Sequence, residues 1–301
     1  MFPANRLPLL LISTKVEPKT KASELPLRDA LPNLVRDNPF LSVSVDAESG
    51  EIIVHSASEQ QLDAAVSELI SRGIGVNVGA RQVAYREVLV RPVEIDYTHK
   101  RQTGGNRQFA RVRLRLEPNA TGKGNEFATS IVGGTVPKEY IPGVEKGVRS
   151  VWESGVLIGF PMVNMKVTLF DGAYHEMDSS AFAFEIASRA AMTEGCDKSG
   201  VELLEPIMDV EVVTPVDFAG GIVADLNAGS ALIRTTEIQN DNLVVIRANA
   251  PLARLLGYAS RLHSLSHGAA SHQMTFSHYE AVPRNVSPDP DDFPPAVGMR
   301  A

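Results

Sequence analysis

Between Val93 and Pro118, two runs of alternating apolar and polar residues flank a short segment rich in glycine and cations. A period of two does not match the 3.6-residue repeat of a helix and calls for a half-buried strand. The second run, Phe109-Ala110-Arg111-Val112-Arg113-Leu114-Arg115-Leu116, puts its arginines on one face and predicts a strand with a wet, basic side. Between the runs, His99-Lys100-Arg101-Gln102-Thr103-Gly104-Gly105-Asn106-Arg107-Gln108 is expected to form an exposed cationic loop on that β scaffold. Such a loop suits contact with RNA phosphates and bases.

The segments before and after share one order of elements. In the first, strands are expected at Leu9 to Val16, Leu41 to Val45, Glu51 to Val54 and Ile74 to Val78. The turn Asp46 to Gly50 joins the middle two. Helices are expected at Ala22 to Arg36, weakened by Pro26 and Pro32, and at Ser58 to Ser71. In the last, strands are expected at Pro206 to Val213, Ala231 to Gln239, Leu243 to Asn249 and Ser271 to Tyr279, with the turn Asn240-Asp241-Asn242. Helices are expected at Pro215 to Asn227, with Thr214 as N-cap and Pro215 in the first position, and at Ala253 to Ser264. Both orders are βαββαβ, the ferredoxin-like unit. The middle is expected to hold a helix over Ile141 to Ser154, a strand at Met162 to Phe170, a turn at Asp171-Gly172 and a helix from Ser179 to Met192.

The 301 residues leave room for two or three domains. The net charge is −7, so any contact with nucleic acid must be a local patch, here Lys100 to Arg111, on an acidic body. A single cysteine, Cys196, excludes a disulfide framework and a cysteine-based zinc site within one chain. The apolar run Leu7 to Ile12 is too short to span a membrane and lacks the features of a secretory signal, so a cytoplasmic location and no membrane partner are expected.

Four further stretches accompany the Val93–Pro118 run. They are Ile131-Val132-Gly133-Gly134-Thr135-Val136-Pro137-Lys138-Glu139-Tyr140-Ile141-Pro142, Asp171-Gly172-Ala173-Tyr174-His175-Glu176-Met177-Asp178-Ser179-Ser180, Leu204-Glu205-Pro206-Ile207-Met208 and Phe276-Ser277-His278-Tyr279. Together they resemble elongation factor G, a translational GTPase family, over its third, fourth and fifth domains. The resemblance implies an α+β chain of two ferredoxin-like βαββαβ domains, residues 1–80 and 203–285, flanking a ribosomal-protein-S5-domain-2-like α+β domain, residues 81–202. Residues 286–301, in a stretch holding five prolines from Pro283 onward, are expected to be a disordered tail.

In that family the tip of the fourth domain enters the decoding site of the small ribosomal subunit during translocation. The resemblance therefore implies a ribosome-binding protein whose partners are the decoding region, ribosomal RNA, mRNA and tRNA. The implied contact residues are Lys100, Arg101, Gln102, Thr103, Gly104, Gly105, Asn106, Arg107 and Gln108 in one loop, and Tyr174, His175 and Glu176 in the other. Nothing in the sequence corresponds to the family's GTPase and second domains. No enzymatic activity and no cofactor of its own are therefore expected, GTP and magnesium belonging to the missing domain. The chain then acts in or modulates translocation without hydrolysing GTP, or is the C-terminal half of a split or truncated GTPase that needs a separate GTP-binding polypeptide, or is a remnant without function. It departs from the family at Ser56 to Asp63, at Ala228-Gly229-Ser230 and at Ser266-His267-Gly268-Ala269.

Each candidate also has a plainer reading. The cationic segment can be a solvated turn, and His175 a surface histidine before a helix capped by Asp178 or Ser179. Gly122-Lys123-Gly124 is not a phosphate loop, because Glu117 stands where the first glycine belongs and Gly124 replaces the hydroxyl residue. Cys196, placed just after a helix, reads as a structural thiol. His263, His267, His272 and His278 are spaced too irregularly for a metal site. Asp171, Glu176 and Asp178 read as turn and cap residues rather than a catalytic group.

Overall fold

The computed structural model describes residues 9–45, 50–103, 106–239 and 242–283. The turn expected at residues 46–49, Gly104, Gly105, Asn240, Asp241 and the tail at 286–301 lie outside the described residues. The chain divides into two units, one made of Met1–Ala84 with Glu205–Glu280 and the other principally of Tyr85–Leu204.

The first βαββαβ segment runs β1 (Ile12–Pro18), α1 (Glu24–Asp37), β2 (Leu41–Val45), β3 (Ile52–Ser56), α2 (Glu59–Ser71) and β4 (Val76–Val83). Its sheet order is β2-β3-β1-β4 with antiparallel neighbours, the ferredoxin-like arrangement. Pro26 and Pro32 do not stop α1. Pro26 lies in the first turn, where its missing N–H would have no helical partner, and burial of Leu27, Ala30, Leu31 and Leu34 outweighs the cost of Pro32. Ser58 caps α2, its hydroxyl accepting from Gln61 N.

The second unit contains β5 (Arg86–Leu89), β6 (Val93–Thr103), β7 (Asn106–Pro118), β8 (Glu126–Thr129), α3 (Ile141–Ser154), β9 (Met165–Ala173) and α4 (Ala181–Ser199). The sheet order is β6-β7-β9-β8, with only β8 and β9 parallel among these described neighbours. Apolar side chains of one sheet face (Ile95, Val112, Leu114, Val167) join α3 residues Val148 and Trp152 and α4 residues Phe184 and Met192 in one buried cluster. Gly143 and Gly147 let α3 lie directly against α4. A Cβ at Gly147 would stand 2.2 Å from Ser188 Oγ and 2.4 Å from the Glu185 carbonyl oxygen.

Two expectations fail along β9 and α4. Asp171-Gly172 is no turn but part of β9, opposite Arg113 and Val112, where a bulge at Phe170 bends the strand. Cys196 lies inside α4, because the helix runs on to Ser199 instead of ending near Met192. Small residues keep α4 buried on several sides, so its sequence carries little one-sided pattern to mark its length.

The last segment runs β10 (Val201–Pro215), α5 (Val216–Ala228), β11 (Leu232–Ile238), β12 (Leu243–Pro251), α6 (Leu252–Leu255), α7 (Tyr258–Leu265) and β13 (Ser271–Ala281). The order β11-β12-β10-β13 repeats the ferredoxin-like arrangement. The N-cap position of α5 is Pro215, not Thr214. Thr214 is a buried strand residue whose hydroxyl donates to the Pro215 carbonyl at 3.3 Å. The helix expected at Ala253 to Ser264 is broken at Gly257, which takes φ of 71°.

Two polar arrangements hold the second unit together. The fully buried Glu87 carboxylate accepts five backbone N–H groups, from Val156 (2.7 Å), Leu157 (2.9 Å), Ile158 (3.0 Å), Gly159 (3.1 Å) and Phe160 (3.1 Å), and so organises the whole connection after α3. On the open face of the sheet, Arg111 chelates Asp96, Arg113 reaches Asp171 at 3.3 Å, and Arg115 pairs with Glu94 at 2.7 Å. Arg113 and Arg115 also lie over the Phe170 ring, 4.8 and 5.3 Å from its centroid.

Replacing Glu87 by Gln turns an amide nitrogen toward donors that need an acceptor. The variant should lose about 2–4 kcal/mol of stability, read as a lower urea midpoint; an unchanged midpoint would refute the role given to this carboxylate. The hydrogen bond from Arg111 holds the Asp96 carboxyl below its usual range. A carboxyl whose value is depressed on folding stabilises fully above its unfolded value and loses that contribution as pH falls through the folded one. Asp96→Asn should therefore melt earlier than the parent chain at pH 7, and the gap should narrow only as pH falls below the ordinary carboxylate range.

Candidate nucleic-acid interface

The β6–β7 ladder does not open into a loop at His99. Pairing continues through Lys100↔Phe109, Arg101↔Gln108 and Gln102↔Arg107 to Thr103↔Asn106, leaving only residues 104 and 105 between the strands. The expected ten-residue loop is thus mostly paired strand. The cause is that the residues flanking Gly104-Gly105 keep extending the same ladder, and two residues suffice to connect a hairpin.

Because the tip is strand, its residues divide between two faces. Lys100, Gln102, Arg107 and Phe109 continue the open face that carries Arg111, Arg113 and Arg115. His99, Arg101 and Gln108 continue the face that carries Ile95, Ala110 and Val112. The basic patch expected from Lys100 to Arg111 is correspondingly smaller. Arg111 is consumed by Asp96, whereas Lys100, Arg101 and Arg107 are exposed and have no ion-pair partner among the described residues. Gln108 is half-buried, and its Oε1 lies 3.0 Å from His99 Nε2.

The second expected segment is brought directly beside the first. Phe109 N donates to the Asp178 carbonyl at 2.9 Å, and Ser179 Oγ donates to the Phe109 carbonyl at 2.7 Å. Residues 174–179 therefore continue along the free edge of β7 beyond the end of β9. Inside this turn His175 N donates to Ser179 Oγ at 2.9 Å, and Asp178 N and Ser179 N both donate to the His175 carbonyl. His175 Nδ1 lies 3.3 Å from Met177 N and 3.4 Å from an Asp178 carboxylate oxygen. Tyr174, His175, Glu176 and Met177 are exposed, Met177 to 86%. Tyr174 stands against Tyr140, which stacks on buried Phe184 with centroids 5.1 Å apart. The cap of α4 is Ser180, which accepts from Ala183 N at 3.1 Å, and not Asp178 or Ser179.

The pairings that build this geometry carry no local sequence signal. Phe109 and Ser179 join segments 70 positions apart, and His99 acts through a neighbour on the opposite strand.

Other candidates are occupied structurally. Gly122 N and Gly124 N both donate to Asn164 Oδ1, at 3.1 and 3.2 Å, so these amides are directed at a side chain rather than an open cradle. The Cys196 thiol is pushed up to about 12 by burial and lies 3.8 Å from Met162 Sδ. His263, His267, His272 and His278 have separate neighbours, namely Gly268, Phe218, Tyr258 and Ser277. A cavity of about 560 Å³ over the open face of the last sheet is lined by Glu211, Arg234 and Arg247 among others. Its charges are satisfied internally, Arg247 by Glu211 and Arg234 by Asn249. Among the described residues no helix is long and apolar enough to cross a membrane.

Three family models match consecutive parts of the chain: elongation factor G domain III over residues 7–81, domain IV over 81–200 and the elongation factor G C-terminus over 202–289. The elongation factor G of Paracoccus denitrificans is 50% identical over 278 residues, covering 92% of this chain and 39% of the relative. That of Rhodopseudomonas palustris is 50% identical over 279 residues, covering 92% of this chain and 40% of the relative. A crystal structure of a protein from Thermus thermophilus superposes with a TM-score of 0.72 at 34% identity, covering 95% of this chain and 43% of that one. The chain spans about two fifths of the length of the curated relatives it matches. With the same three domains matched in the family's order, this chain belongs to the elongation factor G family over that family's third, fourth and C-terminal domains.

Proposed function

We propose that this chain binds the ribosome through the tip of its middle domain. Lys100 to Gln108 and Tyr174 to Glu176 contact ribosomal RNA, mRNA and tRNA in the decoding region of the small subunit. The chain acts in or modulates translocation in the cytoplasm without hydrolysing GTP itself. The observation that carries this reading is the partition of cations. Arg111, Arg113 and Arg115 on the body of the hairpin are each matched to a carboxylate, whereas Lys100, Arg101 and Arg107 at its end have no such partner among the described residues. Unmatched cations on an acidic chain are free to replace the counterions of a phosphate backbone.

A second reading is favoured by the coverage of the relatives. A chain spanning about two fifths of their length and matching only their domains III, IV and C-terminus fits the C-terminal part of a translational GTPase that works with a separate GTP-binding polypeptide.

Co-sedimentation with intact ribosomes and with isolated small subunits over a salt series tests the first reading. Binding should weaken linearly in log–log form, and Lys100/Arg101/Arg107→Ala should flatten the slope by about two, from the loss of three phosphate contacts. Equal binding by the triple variant would refute the tip as the contact. Binding that appears only when a GTP-binding partner is added would favour the second reading.

A further inference from the structure

Gln108 does not present a free amide. Its directly opposite residue is Arg101, and His99 lies one step along the diagonal, itself opposite Ala110. The single methyl of Ala110 leaves room for the imidazole to lean toward the hairpin end, and diagonal neighbours are within reach of long side chains. The contact it makes there is His99 Nε2 to Gln108 Oε1, 3.0 Å. A carbonyl oxygen can only accept, so His99 Nε2 carries the proton, in the neutral tautomer and in the imidazolium alike. The bond therefore survives protonation of the ring.

The consequence is directional. With Oε1 held by His99, the amide nitrogen of Gln108 keeps both its hydrogens, with no partner among the described residues. The second segment repeats the logic. His175 Nδ1 either accepts from Met177 N or, when protonated, faces the Asp178 carboxylate, so Nε2–H remains a donor in both states. The acceptor atoms of both side chains are used internally, and the donors are left over. Lys100, Arg101 and Arg107 add only donors.

We propose that His99 is a positioning residue. It fixes the rotamer of Gln108 so that its amide N–H group, rather than its oxygen, is left for the phosphate, 2′-hydroxyl and base-edge acceptors of RNA. The inference rests on the tip being the ribosome-contacting end. Without His99 the Gln108 amide can rotate, present its oxygen to an acceptor surface, and must be ordered at the moment of binding.

A double-mutant cycle on the full chain tests this, with affinity for isolated small subunits as the readout. His99→Phe removes the donor and keeps a flat ring, and His99→Leu serves if the phenylalanine variant melts early. Either should weaken binding roughly 3- to 10-fold. His99→Gln, which restores an N–H at similar reach, should recover most of that loss. In a Gln108→Ala background, His99→Phe should have no further effect, because the group it positions is gone. A wild-type chain that binds while His99→Phe has no effect, or has the same effect with and without Gln108, overturns the positioning role alone. A wild-type chain that does not bind at all overturns the tip-binding reading and this inference with it.

Discussion

The unbroken pairing of β6 with β7, from Val93↔Leu116 to Thr103↔Asn106, is the constraint on which the second unit depends. Once eleven consecutive pairs are in register, every side chain is assigned to a face. A slip of one residue would send Ile95, Val112 and Leu114 into water and the arginines into the core. The ladder thus delivers the buried face to α3 and α4, the ion-pair lattice to solvent, and the segment from Lys100 to Gln108 to one end. Phe109 extends its reach: its N–H and carbonyl pair with Asp178 and Ser179, so the second exposed segment is held by the same strand.

Charge is sorted along that hairpin. A carboxylate faces each arginine on the body of the sheet, which makes the open face an ionic lattice with Phe170 beneath it. Such exposed pairs stabilise little individually, but they remove those arginines from competition for a ligand. At the end of the hairpin no carboxylate among the described residues answers Lys100, Arg101 or Arg107. An alternating basic strand in the sequence does not distinguish these two groups, since the carboxylates that separate them come from β6 and from the bulge in β9.

Much of the fold was legible from local pattern. The two βαββαβ orders appear in the structure, with the last helix broken in two at Gly257, and α3 spans Ile141–Ser154 as its spacing predicts. Where the reading failed, a tertiary demand overrode a local signal. Asp171-Gly172 looks like a turn, but β7 supplies a strand partner for it. Thr214 looks like a cap, but it is buried in β10. Ser179 looks like a cap as well, but its hydroxyl is engaged by Phe109, and Ser180 takes the role.

The sequence by itself determined the element order, the two-faced character of the hairpin and the family, because periodicity and short motifs are local properties that survive without coordinates. It also named the segments of the candidate interface. Only the tertiary structure decided which cations meet a carboxylate among the described residues, which atoms of Gln108 and His175 are engaged, and that the two segments meet at Phe109. Those outcomes depend on pairings between residues far apart in sequence, and no local pattern encodes which carboxylate, ring nitrogen or carbonyl a folded strand will bring within 3 Å of a side chain.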